Sequence, residues 1–379
     1  MDPVKILHCA DLHIENESKG NDLSVQNHYS DLLKGLRQIV SLANEEEVDI
    51  LLIAGDLFDT SAVDTATLNS VKESLSDCQS YVFISPGNHD YVSVESPYHD
   101  DEGWPEDTFI FKNDWESFEL PDLNTVVWGA AFQSTHVEES LIDVTADVDR
   151  DKINLCCIHG DLVSNTAESN YHPITPDHIS TLPIDYLALG HIHKRCDVQE
   201  FSSTFYAYPG NPVGRGFDEL GPRGVYLGFV GRGRADLDFY PIAERHYLVE
   251  EIDISNLVTE REILARVREE LEARYGEDWK KHYYRLIFTG EGADGQLLSW
   301  TSIKDQLSDE VAYLEIQDRT VVSIDLDSAA EENTLQGAFI RNALRDLEKK
   351  QDEEEEERIQ RALKYGLEAL TGGIRLDED

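Results

Sequence analysis

Short apolar runs recur through roughly the first two hundred residues, and five of them stop at a small polar cluster. Ile6-Leu7-His8-Cys9-Ala10 runs into Asp11-Leu12-His13, and Ile50-Leu51-Leu52-Ile53-Ala54 into Gly55-Asp56-Leu57-Phe58-Asp59. Tyr81-Val82-Phe83-Ile84 leads to Gly87-Asn88-His89-Asp90, Ile153-Asn154-Leu155-Cys156-Cys157-Ile158 to His159-Gly160, and Tyr186-Leu187-Ala188-Leu189 to Gly190-His191-Ile192-His193. Runs of this kind read as β-strands. Between the first two, Tyr29, Leu32, Leu33, Leu36, Ile39, Val40 and Ala43 recur every three or four residues, the spacing of a helix with one buried face. A weaker repeat through Ala66, Leu68, Val71 and Leu75 predicts a second helix before the third strand. Strand, helix, strand, helix, strand implies two crossovers and a largely parallel or mixed sheet. The polar clusters would then leave from one edge, where open α/β sheets bind their ligands.

Further along, Ser93 to Glu119 is rich in Pro, Asp and aromatics without a period and reads as a long loop. Val126 to Phe132 reads as another strand. From Phe201 to Ile242 short β-type runs alternate with turns at Tyr208-Pro209-Gly210-Asn211-Pro212 and Gly221-Pro222-Arg223-Gly224, which predicts hairpins closing a second sheet. Beyond Ala243 the pattern becomes strand (Tyr247 to Ile254), helix (Glu260 to Tyr275), strand (Tyr283 to Thr289) and strand (Val321 to Leu326). From Ser328 it is helical and includes the acidic run Asp352 to Glu357. The expected organisation is an α/β domain over 1–242, a small α+β domain over 243–327 and an acidic helical segment over 328–379.

Charge changes the picture of the environment. The 379 residues include 76 acidic and 32 basic ones, a formal net charge of -44, with the excess spread over the whole chain. Self-repulsion on this scale destabilises a compact chain in dilute buffer, but at molar salt the screening length falls to roughly 3 Å. A halophilic cytoplasm is the expectation. The five cysteines are odd in number, form no C-x-x-C pair and sit mostly in apolar runs, so they read as reduced core residues. No apolar run approaches the ~20 residues of a membrane span and no leader precedes the first strand, which fits a cytoplasmic location away from membranes.

The clusters carry donors suited to partly hydrated Mn, Fe or Zn sites, namely carboxylate oxygen and imidazole nitrogen. Asp11 and His13 can turn toward one ion if the strand breaks there, and Asp56 can bridge two. Asn88 offers an amide oxygen, His159 and His191 complete the second ion, and His193 returns to the first. A pair of ions clamps a phosphate and makes hydroxide available near neutral pH. His89 follows a ligand directly and has no ion assigned, so it is the candidate proton donor, and Asp59 the candidate partner that holds its ring. Taken singly, each cluster is an ordinary turn. Five in this order are not.

Asp-x-His, Gly-Asp-x-x-Asp, Gly-Asn-His-Asp, His-Gly and Gly-His-x-His in series resemble the calcineurin-like metallophosphoesterases over the first two hundred residues. The opening Lys5 to His13, the Gly55 to Asp59 block and the Tyr208 to Pro212 and Gly221 to Leu227 stretches resemble the SbcD-type DNA-repair exonucleases in particular. That resemblance implies a two-sheet sandwich flanked by helices, a small α+β capping domain and C-terminal helices. It places Asp11, His13, Asp56 and His193 on one ion and Asp56, Asn88, His159 and His191 on the other, with His89 as catalytic donor. It further implies Mn2+, DNA ends as substrate in double-strand break repair, an SbcC-type coiled-coil ATPase as partner, and a homodimer. Asp59 stands where archaeal and eukaryotic members often carry His, which points to the bacterial SbcD-like and stand-alone branches.

No basic stripe of the usual DNA-binding kind is present. Lys194, Arg195, Arg215, Arg223, Arg232 and Arg234 are the candidate local cations, all expected near the site edge. Two other functions fit the same residues: a phosphodiesterase or phosphomonoesterase for small nucleotides, and a non-catalytic scaffold for a repair ATPase using Leu335, Phe339, Ile359, Leu363, Leu367 and Leu370. A complete ligand set disfavours the scaffold.

Overall fold

A computed structural model describes residues 2–16, 23–99, 103–292, 299–322, 326–349, 358–359, 362–363, 365–367 and 370. The acidic run at 352–357 lies outside them. The chain divides into two compact units, one of residues 1–250, 274–285 and 304–315 and the other of 251–273, 286–303 and 316–379.

The first unit is built on two mixed six-stranded sheets. In the first sheet β1 (Val4–Cys9), β2 (Ile50–Ile53), β3 (Tyr81–Ile84) and β4 (Thr108–Ile110) run parallel, with α1 (Leu23–Glu45) and α2 (Thr65–Ser76) as crossovers. The second sheet is ordered β5 (Glu116–Leu120), β6 (Thr125–Gly129), β7 (Ile153–His159), β8 (Tyr186–Gly190), β10 (Thr204–Ala207) and β9 (Gln199–Phe201). Its inner four strands are parallel and its two edges antiparallel. A short helix, α3 (Pro176–Thr181), precedes β8, and a hairpin of β11 (Gly224–Gly231) and β12 (Arg234–Pro241) follows β10.

Alternation explains why the runs are apolar throughout. Ile6, Ile50, Leu52 and Phe83 of the first sheet share one buried cluster with Val127, Leu155, Cys157, Tyr186 and Ala188 of the second. Their neighbours Leu7, Cys9, Leu51 and Ile53 face Leu32, Leu36, Ile39 and Val40 of α1 and Val71 and Leu75 of α2. On the second sheet, Cys156, Ile158, Leu187 and Leu189 pack outward with Ile179 of α3. A strand covered on both faces is apolar along its length except where a buried partner is built in, as for His8 and Asn154. Each fully buried Val, Leu or Ile stabilises the fold by about 1.5–3 kcal/mol, so the sandwich is a firm base for the turns at its edge.

Several expectations are corrected. Ser93 to Glu119 is not one loop, since β4 and the start of β5 lie within it. Both are short edge strands, too brief to leave a period. The late hairpin joins the first sheet, where β11 pairs antiparallel with β1 in the register Val4↔Val230. That register also puts the Arg232–Gly233 turn beside the start of β1, so Arg232 and Arg234 lie at the opposite end from the polar clusters.

After Arg245 come β13 (Tyr247–Asp253), α4 (Glu260–Tyr275), β14 (Tyr283–Thr289), β15 (Glu291–Gly292), α5 (Trp300–Ser308), β16 (Tyr313–Asp318) and β17 (Val321–Val322), then helices α6 (Leu326–Glu331) and α7 (Leu335–Glu348). The three-stranded sheet is ordered β13-β14-β16, and β15 pairs with β17. Of the strand expected over Val321 to Leu326, Val321–Val322 form β17, 323–325 lie outside the described residues and Leu326 opens α6, while the third strand of the sheet is Tyr313–Asp318. Of the apolar positions offered as a partner face, Leu335 is exposed and Leu363 buried.

Candidate metal centre

Because β1, β2 and β3 are parallel neighbours, as are β7 and β8, the turns that follow them meet at one edge. The backbone there is held in an unusual form. Asp11 (φ 54°), His13 (φ 46°), Asp56 (φ 48°) and His191 (φ 101°) all lie in the left-handed region. For residues with a Cβ this costs on the order of 1–3 kcal/mol each and persists only where the surroundings enforce it. The enforcing frame is a ladder between the first two turns. Ala54 N–H donates to Cys9 O (2.8 Å), Asp11 N–H to Gly55 O (3.0 Å), His13 N–H to Asp56 O (2.9 Å) and Ile14 N–H to Leu57 O (2.9 Å). The third turn is clamped to the second by Asp90, whose carboxylate accepts from Gly87 N (2.7 Å), Phe58 N (3.1 Å) and Tyr98 Oη (2.6 Å). Burial and the nearby Asp56 push the Asp90 carboxyl up to about 6.

The side chains converge. Asp11, His13, Asp56 and His159 are almost wholly buried and form the floor, while His89 is exposed and Asn88, His191 and His193 are half-buried. Ligand-type atoms of Asp11, His13 and His193 lie within 4.8 Å of one another, and so do those of Asp11, Asp56 and His159 and those of His13, Asp59 and His89. Asp11 thus belongs to two groups, one with each half of the site.

Ring orientation decides what such a cluster can hold. His13 Nδ1 is 3.0 Å from Asp59 Oδ1, His193 Nδ1 is 2.6 Å from Glu219 Oε1, and His159 Nδ1 is 3.1 Å from the Ala54 carbonyl. Each acceptor calls for N–H at Nδ1, which leaves a lone pair on Nε2. His13 Nε2 and His193 Nε2 are then 3.0 Å apart. His159 Nε2 lies 3.0 Å from Asn88 Oδ1 and 3.3 Å from Asp56 Oδ2. His191 is turned the other way, with Nδ1 3.1 Å from Asn88 Oδ1 and Nε2 3.6 Å from Asp161 Oδ1. Three imidazoles with Nδ1 held from outside, and His191 with Nδ1 turned to Asn88, crowd acceptor-type atoms against one another. Divalent cations among them resolve that conflict, and the outer carboxylates fix the rings for the purpose.

The electrostatics ask for the same charge. Burial works against a charged His159 ring, yet Asp56 and Asp11 raise its pKa to about 9. Burial likewise works to raise Asp56, but His159 and His13 hold its carboxyl below the usual range. Asp11, dominated by burial, is shifted up. Two buried carboxylates in one pocket draw in positive charge, whether a proton or a metal. The residues present fit a two-ion site in their donor types, orientation and charge.

His89 donates its backbone N–H to Asp56 Oδ1 (3.0 Å), and its ring stands edge-on to His13 with centroids 4.6 Å apart. The expected partnership of Asp59 with His89 is altered. Asp59 Oδ1 is closer to His13 Nδ1 (3.0 Å) and to Arg215 Nη2 (2.8 Å) than to His89 Nδ1 (3.5 Å), although its backbone carbonyl is 3.3 Å from that nitrogen. Asp59 is first a support for His13. Glu219, Asp161 and Asp90 escaped the sequence reading, whereas Arg215, one of the cations expected near the site edge, lies there on Asp59. For Glu219 a weak signal existed, the Asp218-Glu219 pair between the two Gly/Pro turns already singled out, and Asp90 closes the Gly-Asn-His-Asp cluster. His8 is a core residue, its Nδ1 2.9 Å from Tyr186 Oη and its Nε2 3.2 Å from Leu189 O.

Comparison with known proteins agrees with this centre. The metallophosphoesterase YhaO of Bacillus subtilis, itself uncharacterized, is 28% identical over 248 residues, covering 62% of this chain and 60% of the relative. The SbcD component of the SbcCD nuclease of Staphylococcus epidermidis is 22% identical over 251 residues, covering 57% and 63%. The chain therefore spans about three fifths of the length of these relatives. A dimetal phosphatase from Danio rerio, known from its crystal structure, is 12% identical with a TM-score of 0.39, covering 64% of this chain and all of that one. Residues 4–195, which contain every residue of the metal cluster, match the profile of the calcineurin-like phosphoesterases, and the chain belongs to that family of metal-dependent phosphoester hydrolases.

Proposed function

We propose that the chain is a metal-dependent phosphodiesterase acting on nucleic acid ends, a DNA nuclease of the SbcD kind. The observation that supports it most is the set of four histidines, three of them held from outside at Nδ1, turned inward around Asp11, Asp56 and Asn88. The likeness to a nuclease component supports the choice of DNA, and the resemblance of the Gly55 to Asp59 and Tyr208 to Leu227 stretches adds to it. On the same reading the ions are Mn2+, and the partners are an SbcC-type ATPase and a second copy of the chain.

Two bound divalent ions would supply Lewis acidity and a hydroxide near neutral pH. Asp11, His13, Asp56 and His193 would hold one and Asp56, Asn88, His159 and His191 the other. Asp59 and Glu219 keep His13 and His193 in the orientation that exposes Nε2. His89, at the exposed rim with Nδ1 toward Asp59, has Nε2 left to face the leaving oxygen, and with both ring nitrogens protonated it would give that oxygen the Nε2 proton and keep the one on Nδ1. Arg215, bonded to Asp59, adds a positive charge on the same side for the phosphate.

The test is hydrolysis of a labelled oligonucleotide and of small nucleotide esters by the full chain with Mn2+ at low and molar salt. Release of nucleotides from DNA ends, with kcat lowered about 10²–10⁴-fold in His89→Gln, is the expected result. Cleavage of the small esters alone would move the substrate to small nucleotides. An unchanged rate in His89→Gln would remove the donor role.

A further inference from the structure

Beside the metal cluster the first unit has an open cleft of 640 Å³. His193 and Arg215 line it, and both also belong to the cluster or its supports. The lining also includes four aromatic rings, Phe217, Tyr247, Tyr283 and Tyr313. Phe217 stands edge-on to Tyr247 with ring centroids 5.1 Å apart, and Tyr247 is stacked on Tyr283 at 4.7 Å and 18°. Tyr313 lies 6.3 Å from Phe217, and the Arg285 guanidinium covers the Phe217 ring at 4.4 Å. Burial raises the Tyr247 hydroxyl to about 12, so it stays a neutral hydrogen-bond donor.

We infer that this cleft is a nucleobase subsite, which receives the base of the nucleotide whose phosphate is held at the metal cluster. The inference rests on the phosphodiesterase reading and names what confers substrate preference on it. Rings in mutual contact offer π faces on which a heterocycle extends the stack, and such stacking tolerates any base. The volume falls within the range of about 300–1,000 Å³ for sites that enclose one small ligand. Charge settles which part of a nucleotide can enter. Glu15 and Asp218 line the same cleft. These carboxylates repel a further phosphate, while they accept hydrogen bonds from the amino and ring N–H groups of a base. A further phosphate is therefore disfavoured in the cleft, and a terminal, unstacked base is the part of the nucleotide that suits it. Arg215, which lines the cleft and is bonded to Asp59, marks where sugar passes to phosphate.

The test compares two esters with the same leaving group, p-nitrophenyl thymidine 5′-phosphate and bis(p-nitrophenyl) phosphate, in the full chain with Mn2+. The expected result is a preference in kcat/KM for the base-bearing ester, expressed mainly in KM. In Phe217→Ala and Tyr247→Ala that preference should fall by about 5- to 150-fold per ring, and Phe217→Trp should restore it. Both esters hydrolysed with the same preference in wild type and variants would overturn the subsite while the esterase reading stands. Hydrolysis of neither ester would count against the esterase reading. In that case fluorescence titration decides the subsite: thymidine 5′-monophosphate binding more tightly than ribose 5-phosphate, with the difference lost in Phe217→Ala, supports it, and equal binding overturns it.

Discussion

At the scale of single residues, the centre depends on groups that would touch no ion. Asp59 and Glu219 fix the tautomers of His13 and His193, so Asp59→Asn and Glu219→Gln should each weaken metal binding by about 10–100-fold. Isothermal titration with Mn2+ checks this, and affinity equal to wild type would mean the rings are held by something else. His8 gives a separate prediction for stability. Burial lowers its pKa to about 3, against an ordinary value of 6.5, and its neutral ring is bonded to Tyr186 and Leu189. As pH falls below 6.5 the unfolded chain takes up a proton that the folded chain refuses until about 3. Its contribution is complete above pH 6.5 and is lost through that window, with a slope of about 1.4 kcal/mol per pH unit. Urea unfolding at pH 7 and pH 4.5 should show a larger loss in wild type than in His8→Gln; equal losses would contradict it.

At the scale of elements, strand ends make the site. Gly55 (φ 92°) closes β2 where a Cβ would strike the His159 ring, whereas Gly221, with the same φ, has nothing within 4 Å. Gly55→Ala should therefore destabilise the protein well beyond Gly221→Ala, which carries only the backbone strain of about 1 kcal/mol. Equal unfolding midpoints would show that the turn relaxes freely. The same geometry explains what was legible beforehand. Strands buried on both faces end where polarity begins, so Asp11, Asp56, Asn88, His159 and His191 could be read directly from the break in each run. Glu219 could not, nor could the pairing of Arg215 with Asp59, because these contacts reach across 26 and 156 residues of chain. β4 and β5 went unseen because they are short edge strands, and β16 because its half-buried residues make no apolar run. The hairpin β11–β12 was seen but given to the wrong sheet, because nothing in its own pattern encodes a pairing with β1.

At the scale of the molecule, the net charge of -44 is the dominant fact. Raising salt from about 0.1 M to 1 M shortens the screening length from about 10 Å to about 3 Å. The thermal unfolding midpoint should rise over that range, and a flat or falling midpoint would show that the acidic surface does not limit stability. The same charge makes cations the natural ligands of the buried carboxylates at the strand ends. Metal content of the full chain, loaded with Mn2+ and dialysed, tests that claim most directly. Two ions per chain are expected, falling on replacement of Asp56 or His191 by Ala; a chain that retains none, or retains as many without Asp56, would contradict it.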